Sequence, residues 1–358
     1  MRRALGVGLV VFLAGCGSSR EDPFGPGGSG GSSAAGGASA AGGSSAGSGG
    51  VVGQGGAGNA GSGGGTTSVP PPEPVGCVTD VSSGDHRFDC NGVVHYVTVP
   101  TACLTSLCGL VIDVHGGTMD AQMENNNTDM REIGSQHGFV VIQPSAPNNL
   151  WTAATDDPKV FAFMMEVVQA WHLDRKRLHM MGFSQGGYMS WRFVCQHSDV
   201  FASAAPAAAA LQPVLAPEVP CNFTGSDAPA QELDLLYMHG TQDALVNFQN
   251  GITQRDAVIA RFGLGAPEEV KKTATYRHTR YTNAKGTVFE FVDHDYVTDS
   301  AVGVPPLGVA IRGHCYPGST DLVPSVPGQL MAFGCKTPPS EFHWGKMAVE
   351  FFIAHPKR

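Results

Sequence analysis

Met180-Met181-Gly182-Phe183-Ser184-Gln185-Gly186-Gly187 is the stretch on which the fold turns. An apolar run leads out of Leu178, Gly182 and Gly186 bracket Ser184, and Tyr188, Trp191 and Val194 follow at helical spacing. This pattern reads as a strand, a sharp glycine turn with a serine at its tip, and a helix. A serine so held projects its hydroxyl from the end of a sheet, with the first N–H groups of the helix aimed at the same point. The pentapeptide Gly-x-Ser-x-Gly carries little weight alone, because Gly27-x-Ser29-x-Gly31 and Gly43-x-Ser45-x-Gly47 match it as well. Neither has a strand before it or a helix after it, so context decides.

Outward from this turn the chain alternates strands and helices. Strands are expected over 93–99, 110–114, 139–142, 178–183, 202–205 (stopped by Pro206), 233–238, 275–281, 287–292 and 309–311. Helices are expected over 128–137, 158–171, from Ser184 onward, and over 252–262 and 344–354. The short apolar runs without alternation are those of strands buried on both faces of a parallel sheet. The fold class is therefore α/β: a mostly parallel sheet with helices on both faces.

The chain has 358 residues, and 21 of its 48 glycines fall between Gly17 and Gly65, among Ser and Ala. Such a segment has too little apolar surface to offset its ordering entropy and reads as a disordered tether. As a flexible coil it would span roughly 40 Å. Ahead of it, Arg2, Arg3 and an apolar run too short to span a bilayer form a targeting signal. The run ends in Leu13-Ala14-Gly15-Cys16, which resembles the lipobox of bacterial lipoproteins. That resemblance implies cleavage before Cys16, lipidation of its thiol, and anchoring in a bacterial membrane, on the outer-membrane or cell-surface side. The expected organisation is a signal peptide over 1–15, a lipidated Cys16 with its linker over 16–75, and one catalytic domain over 76–358. A net charge of −9 without a basic stripe argues against a nucleic-acid partner.

Eight cysteines remain after Cys16, and an even number in an exported domain points to disulfides. Pairing neighbours in order closes the shortest loops: 77–90, 103–108, 195–221 and 315–335. A zinc site is the competing reading, but no Cys-x-x-Cys pair exists and the spacings are irregular.

Polar or glycine-rich turns end three of the expected strands, where function sits in open α/β sheets. Ser184 is the candidate nucleophile; it needs a neutral histidine in reach and an acid to orient that histidine. Asp243, in His239-Gly240-Thr241-Gln242-Asp243, fits the acid position. Asp227 and Asp234 are rivals, one ahead of the strand and one within it. His314 and His343 are both candidates for the base. Position favours His314, in a post-strand loop of glycines and a proline. His294 reads as a solvated strand end, and His115 and His239 as packing under the site. Oxyanion donors are expected from the N–H of Gln185 and from that of Gly117 or Thr118 in His115-Gly116-Gly117-Thr118. No metal or other cofactor is called for.

Six motifs occur in one order: Asp113-Val114-His115-Gly116-Gly117, Gly138-Phe139-Val140-Val141, Asp156-Asp157, Gly182-Phe183-Ser184-Gln185-Gly186-Gly187, His239-Gly240-Thr241-Gln242-Asp243 and Gly313-His314-Cys315-Tyr316-Pro317-Gly318. Together they resemble the extracellular polyhydroxybutyrate depolymerase family, in the group that also holds feruloyl and acetylxylan esterases. The resemblance covers about Gly92 to Pro356, essentially all of the expected domain. It implies an α/β-hydrolase fold and a triad of Ser184, Asp243 and His314. Tyr316 stands where that family usually has Trp, and Gly117 where it often has Cys. The activity implied is that of an exported serine esterase, most like a polyhydroxybutyrate depolymerase. Feruloyl or acetylxylan ester hydrolysis is the alternative, and a serine peptidase on the same fold a third. A different class is a non-catalytic surface-binding lipoprotein, which an incomplete triad would signal. A polymer-degrading role would need an exposed apolar surface, for which Trp151, Tyr188 and Tyr316 are the expected source.

Overall fold

A computed structural model of the chain describes residues 69–210, 221, 223, 225–298, 311–320 and 333–358. The expected signal peptide, Cys16 and nearly all of the linker lie outside them, as do residues 309 and 310 of the last expected strand. The end of the expected linker already lies on the domain. Glu73 N–H donates to Ala170 O at 2.9 Å, and Val75 and Val78 form a β-bridge.

The Asn91-Gly92 dipeptide takes positive φ at both positions, 54° and 81°, which is the geometry of a two-residue hairpin turn. It joins β1 (Gly84–Cys90) to β2 (Val93–Val99), whose buried residues alternate. β3 (Gly109–Val114) is buried at every position. Two helices follow, α1 (Ala121–Thr128) and α2 (Met130–Gln136), where one was expected over 128–137. Asp129 breaks them: it adopts φ 49°, a conformation an aspartate tolerates but a helix does not.

β4 (Phe139–Ser145) leads to α3 (Ala153–Ala170), which starts ahead of the expected 158 and carries Pro158 inside its second turn, forfeiting a hydrogen bond there. β5 (Leu178–Phe183), α4 (Gln185–Gln196) and β6 (Ser203–Ala207) come next. Pro206 does not stop β6, as expected, but leaves a mark. The ladder to the next strand, β7 (Asp234–Gly240), runs through Ala204↔Leu235 and resumes at Ala207↔Met238 around the residue that has no N–H. α5 (Phe248–Phe262), β8 (Glu268–Lys272), β9 (Tyr276–Thr282), β10 (Val288–His294) and α6 (Trp344–Ala354) complete the chain.

The strand order is β1-β2-β4-β3-β5-β6-β7-β10-β9-β8. The pairings from β4 through β10 are parallel, and antiparallel strands flank them at both edges. This is the α/β-hydrolase arrangement, with a strand–turn–helix at β5–α4. Of the strand expected at 309–311 only Ile311 is described, and it belongs to no named strand; Arg312 after it forms an isolated bridge to Asp243. β8 is exposed at every residue, a charged edge that discourages pairing with another chain.

Two apolar clusters lie on the two faces of the sheet. One gathers Phe163 and Val167 of α3, Trp191 of α4 and Val258 of α5. The other gathers Met123, Met130 and, from α6, Ala348 and Phe352. Four disulfides join Cys77–Cys90, Cys103–Cys108, Cys195–Cys221 and Cys315–Cys335, the sequential pairing expected. Bonds of this kind persist in oxidising compartments. No helix among the described residues is long and apolar enough to cross a membrane.

Candidate active site

Ser184 sits between β5 and α4 at φ 52° and ψ −115°. Such a conformation costs a residue with a β-carbon about 1–3 kcal/mol, so its surroundings must enforce it. The motif glycines show how they do. A Cβ at Gly186 would fall 1.9 Å from Val114 O, and one at Gly182 would fall 2.6 Å from the Gly186 carbonyl. A Cβ at Gly187 would come within 2.5 Å of Ala207 O. The start of α4 is thus pressed between the ends of β3 and β6, closer than any side chain permits. Ser184 N–H donates to Ala207 O at 3.0 Å, which pins the turn.

Asp243 and His314 come from distant parts of the chain and meet beside this turn. His314 Nδ1–H donates to Asp243 Oδ2 at 2.7 Å. The other oxygen, Oδ1, accepts the N–H groups of Leu245 at 2.9 Å and Val246 at 2.7 Å. The carboxylate is therefore held on both sides and cannot swing away from the imidazole. Two more glycines allow the loops to approach. A Cβ at Gly240 would lie 2.2 Å from Gly313 O, and one at Gly313 would lie 2.7 Å from Asp243 N. The His314 ring packs on Phe183, the residue before Ser184, with centroids 4.7 Å apart. With Nδ1 donating, Nε2 keeps its lone pair, and that atom has no hydrogen-bond partner among the described residues.

His239 and His115 do pack beneath the site, as expected. Tyr237 O–H and His239 Nδ1 are 2.8 Å apart, and His239 Nε2–H reaches Val246 O at 2.8 Å, bracing the turn that carries Asp243. Burial lowers the His239 pKa, which keeps the ring neutral in that role. His115 Nε2 accepts the N–H of Ala146 at 2.9 Å, and burial pushes its pKa down to about 4.

The His115-Gly116-Gly117 turn lies against the elbow. A Cβ on Gly116 would stand 3.3 Å from Ser184 Cβ, and one on Gly117 would stand 3.1 Å from the Gln185 side chain. Gln185 opens α4, so its N–H has no partner within the helix. Of the two upstream donors expected, Thr118 is already engaged: its N–H donates to Asn149 O at 2.7 Å. Gly117 is left. Trp151 ties the turn to the elbow, its indole N–H donating to His115 O at 2.9 Å and its backbone N–H to Gln185 Oε1 at 3.1 Å. Sequence reasoning missed this bracing. The consecutive Asn148 and Asn149, both at positive φ, were the available signal that the loop folds back tightly.

Other expectations change. His343 caps α6 by accepting Lys346 N–H at 3.3 Å, and its Nε2 lies 3.3 Å from Asp129, not beside Asp243. Asp234 is engaged at the opposite end of β7, with His355 at 3.0 Å and Arg358 at 2.7 Å. Asp227 lies in a short 3-10 turn ahead of β7. His294 is not a solvated strand end. β10 is paired on both sides, so the ring is buried, stacked on Tyr296, with its pKa pushed to about 3 by burial. Trp151, Tyr188 and Tyr316 do not form an exposed apolar surface; they are 8%, 5% and 0% accessible.

No family model matches the chain. It is 23% identical over 144 residues to a bifunctional acetylxylan esterase/xylanase of Neocallimastix patriciarum, covering 39% of this chain and 20% of that protein. It is 36% identical over 92 residues to feruloyl esterase B of Piromyces equi, covering 26% of this chain and 16% of that protein. The chain thus spans a fifth or less of the length of these relatives. Their names meet the esterase side of the resemblance read from the motifs. Among solved structures, an acetyl xylan esterase from Aspergillus awamori superimposes with a TM-score of 0.47 at 18% identity, over 60% of this chain and 91% of that one. Est1E from Butyrivibrio proteoclasticus gives 0.37 at 16% identity, over 49% and 85%.

Proposed function

We propose that this chain is an exported serine esterase that cleaves carboxylic esters through an acyl-enzyme, with acetyl or feruloyl groups on plant polysaccharide as its substrates. The observation that carries the reading is the Asp243–His314 pair. Its unpartnered Nε2 lies in a ring packed on the residue before a strained Ser184. In this reading His314 Nε2 takes the Ser184 proton as Oγ attacks the ester carbonyl. Asp243 keeps the imidazole in the required tautomer and stabilises its charge. The N–H groups of Gln185 and Gly117 receive the oxyanion, and the α4 dipole adds to them. His314 then protonates the leaving alcohol and later deprotonates the water that releases the acid.

The sugar-ester substrates rest on the names of the two curated relatives. The motif series around His314 favours a second reading, hydrolysis of a polyhydroxyalkanoate. The burial of Trp151, Tyr188 and Tyr316 removes the apolar platform expected for a polymer surface. The lipobox-like Leu13-Ala14-Gly15-Cys16 supports a lipid anchor at Cys16, and a domain with disulfides suits the far side of a membrane.

The full mature chain assayed on p-nitrophenyl acetate, acetylated xylan, feruloylated xylan and polyhydroxybutyrate film tests this. Release of acetate or ferulate from xylan is expected. Turnover of the film alone would move the substrate to polyesters, and equal turnover by a Ser184→Ala variant would end the serine esterase reading.

A further inference from the structure

Beneath the elbow lies a pair of buried acids that ester hydrolysis does not use. Asp113 is on β3 and Glu124 in the first turn of α1, and both are fully buried. Asp113 Oδ2 accepts from Thr128 Oγ1 and from Gln143 Nε2, each at 2.8 Å. Glu124 Oε2 accepts the Tyr316 hydroxyl at 2.5 Å. The remaining oxygens, Asp113 Oδ1 and Glu124 Oε1, are also buried and have no hydrogen-bond partner among the described residues, and the two carboxyl groups are close enough to act on each other. Two ionised carboxylates could not satisfy those oxygens in each other, since neither has a hydrogen to give; one proton held between them would satisfy both.

The surrounding donors indicate which acid would hold it. Asp113 receives two hydrogen bonds on one oxygen. It is also linked through Gln143, whose Oε1 accepts Arg131 Nε–H at 2.7 Å, to the cation that faces the pair from α2. Glu124 receives one. These donors favour the charge on Asp113, with Glu124 as the group that would hold the proton. Thr128, Gln143, Arg131 and Tyr316 are the polar and titratable groups facing the pair from α1, β4, α2 and the His314 loop. Burial raises both carboxyl pKa values, and the Asp113 charge raises that of Glu124 further.

The position gives the proton a use. The two acids bracket the segment that contains His115-Gly116-Gly117. Tyr316, their third partner, follows His314 by two residues and stacks on Phe183 with centroids 4.0 Å apart. We propose that Asp113 and Glu124 share one proton at neutral pH, and that this pair is a clasp positioning the oxyanion turn against the loop of His314. The positioning half of this rests on the esterase reading; the shared proton does not. Tyr316, where a Trp stands in the resembling family, supplies the hydroxyl that joins the clasp to the base loop.

A carboxyl whose folded pKa is raised binds a proton that the unfolded chain has released. Its contribution is present below the ordinary glutamate pKa, about 4.3, and is lost as pH rises toward the raised value, by up to about tenfold in the folding constant per pH unit. Glu124→Gln replaces the shared proton with a fixed amide donor and keeps an acceptor for Tyr316. Chemical unfolding with disulfides intact, from pH 5 to 9, should show the variant gaining on the wild type as pH rises. A ratio independent of pH would overturn the shared proton. At pH 7 the infrared spectrum of the wild type should carry the carbonyl stretch of a protonated carboxylic acid that the variant lacks; its absence would do the same. If Glu124→Gln does not fold, Tyr316→Phe keeps the ring on Phe183 and should shift that band. An unmoved band would detach Tyr316 from the pair. For positioning, Glu124→Ala should lower kcat by about 10²-fold with KM little changed, while Glu124→Gln stays within about twofold. Wild-type kcat in both would overturn the clasp. The unfolding and infrared results hold whether or not Ser184 is a nucleophile, so the two readings fail separately.

Discussion

His314 and His343 each have a carboxylate beside them: Asp243 hydrogen-bonds His314 Nδ1 at 2.7 Å, and Asp129 lies 3.3 Å from His343 Nε2 without a hydrogen bond. They differ in how the carboxylate is held. Asp243 is buried and takes two backbone N–H groups on the oxygen that does not face the ring. Asp129 is half exposed and forms the left-handed break between α1 and α2. They differ also in what the far side of the imidazole meets. The outer nitrogen of His314 is left without a partner beside the elbow, whereas His343 caps α6 with one nitrogen and turns the other to Asp129. A histidine near an aspartate is common; a histidine locked on one nitrogen and vacant on the other, beside a strained serine, is the arrangement that the proposed proton transfer requires.

That contrast can be broken by mutation. If it holds, Ser184→Ala and His314→Ala each lower kcat on p-nitrophenyl acetate by about 10⁶-fold, the scale seen when a triad member acting as a unit is lost. Steady-state kinetics with active-site titration reads this directly. Asp243→Asn follows at about 10⁴-fold, because the amide presents a donor to Nδ1 and imposes the wrong tautomer. Its near-ultraviolet dichroism should match the wild type. The smallest effect belongs to the other pair. His343→Ala should leave kcat within about twofold and cost about 1 kcal/mol of stability through the lost cap, read as a lower urea midpoint. A large kinetic loss in this variant would erase the distinction between the pairs.

Much of this was legible in the sequence because the decisive features are local. The glycines around Ser184 mark a turn that only glycine can pack, the sequential cysteines close short loops, and α6 begins and ends where its apolar spacing does. β1 was missed although Asn91-Gly92 announces a hairpin, since the strand ahead of it carries mostly polar residues. β8 gave no apolar signal because it buries nothing. The rest depended on contacts between distant segments. Nothing near Thr118 reveals that Asn149 takes its N–H, and nothing around His294 reveals a strand on either side. The three aromatic residues expected on the surface are buried, because hydrophobicity alone does not say which side of a segment faces inward. The Asp113–Glu124 pair was invisible for the same reason: its members face each other only once α1 is laid on the sheet.

The measurement closest to the central claim is covalent trapping with a fluorophosphonate, followed by peptide mass spectrometry of the full mature chain. One phosphonylated residue is expected, Ser184, with labelling lost in His314→Ala and kept in His343→Ala. An adduct on another residue, or labelling of Ser184 that survives His314→Ala undiminished, would contradict a triad built on Ser184.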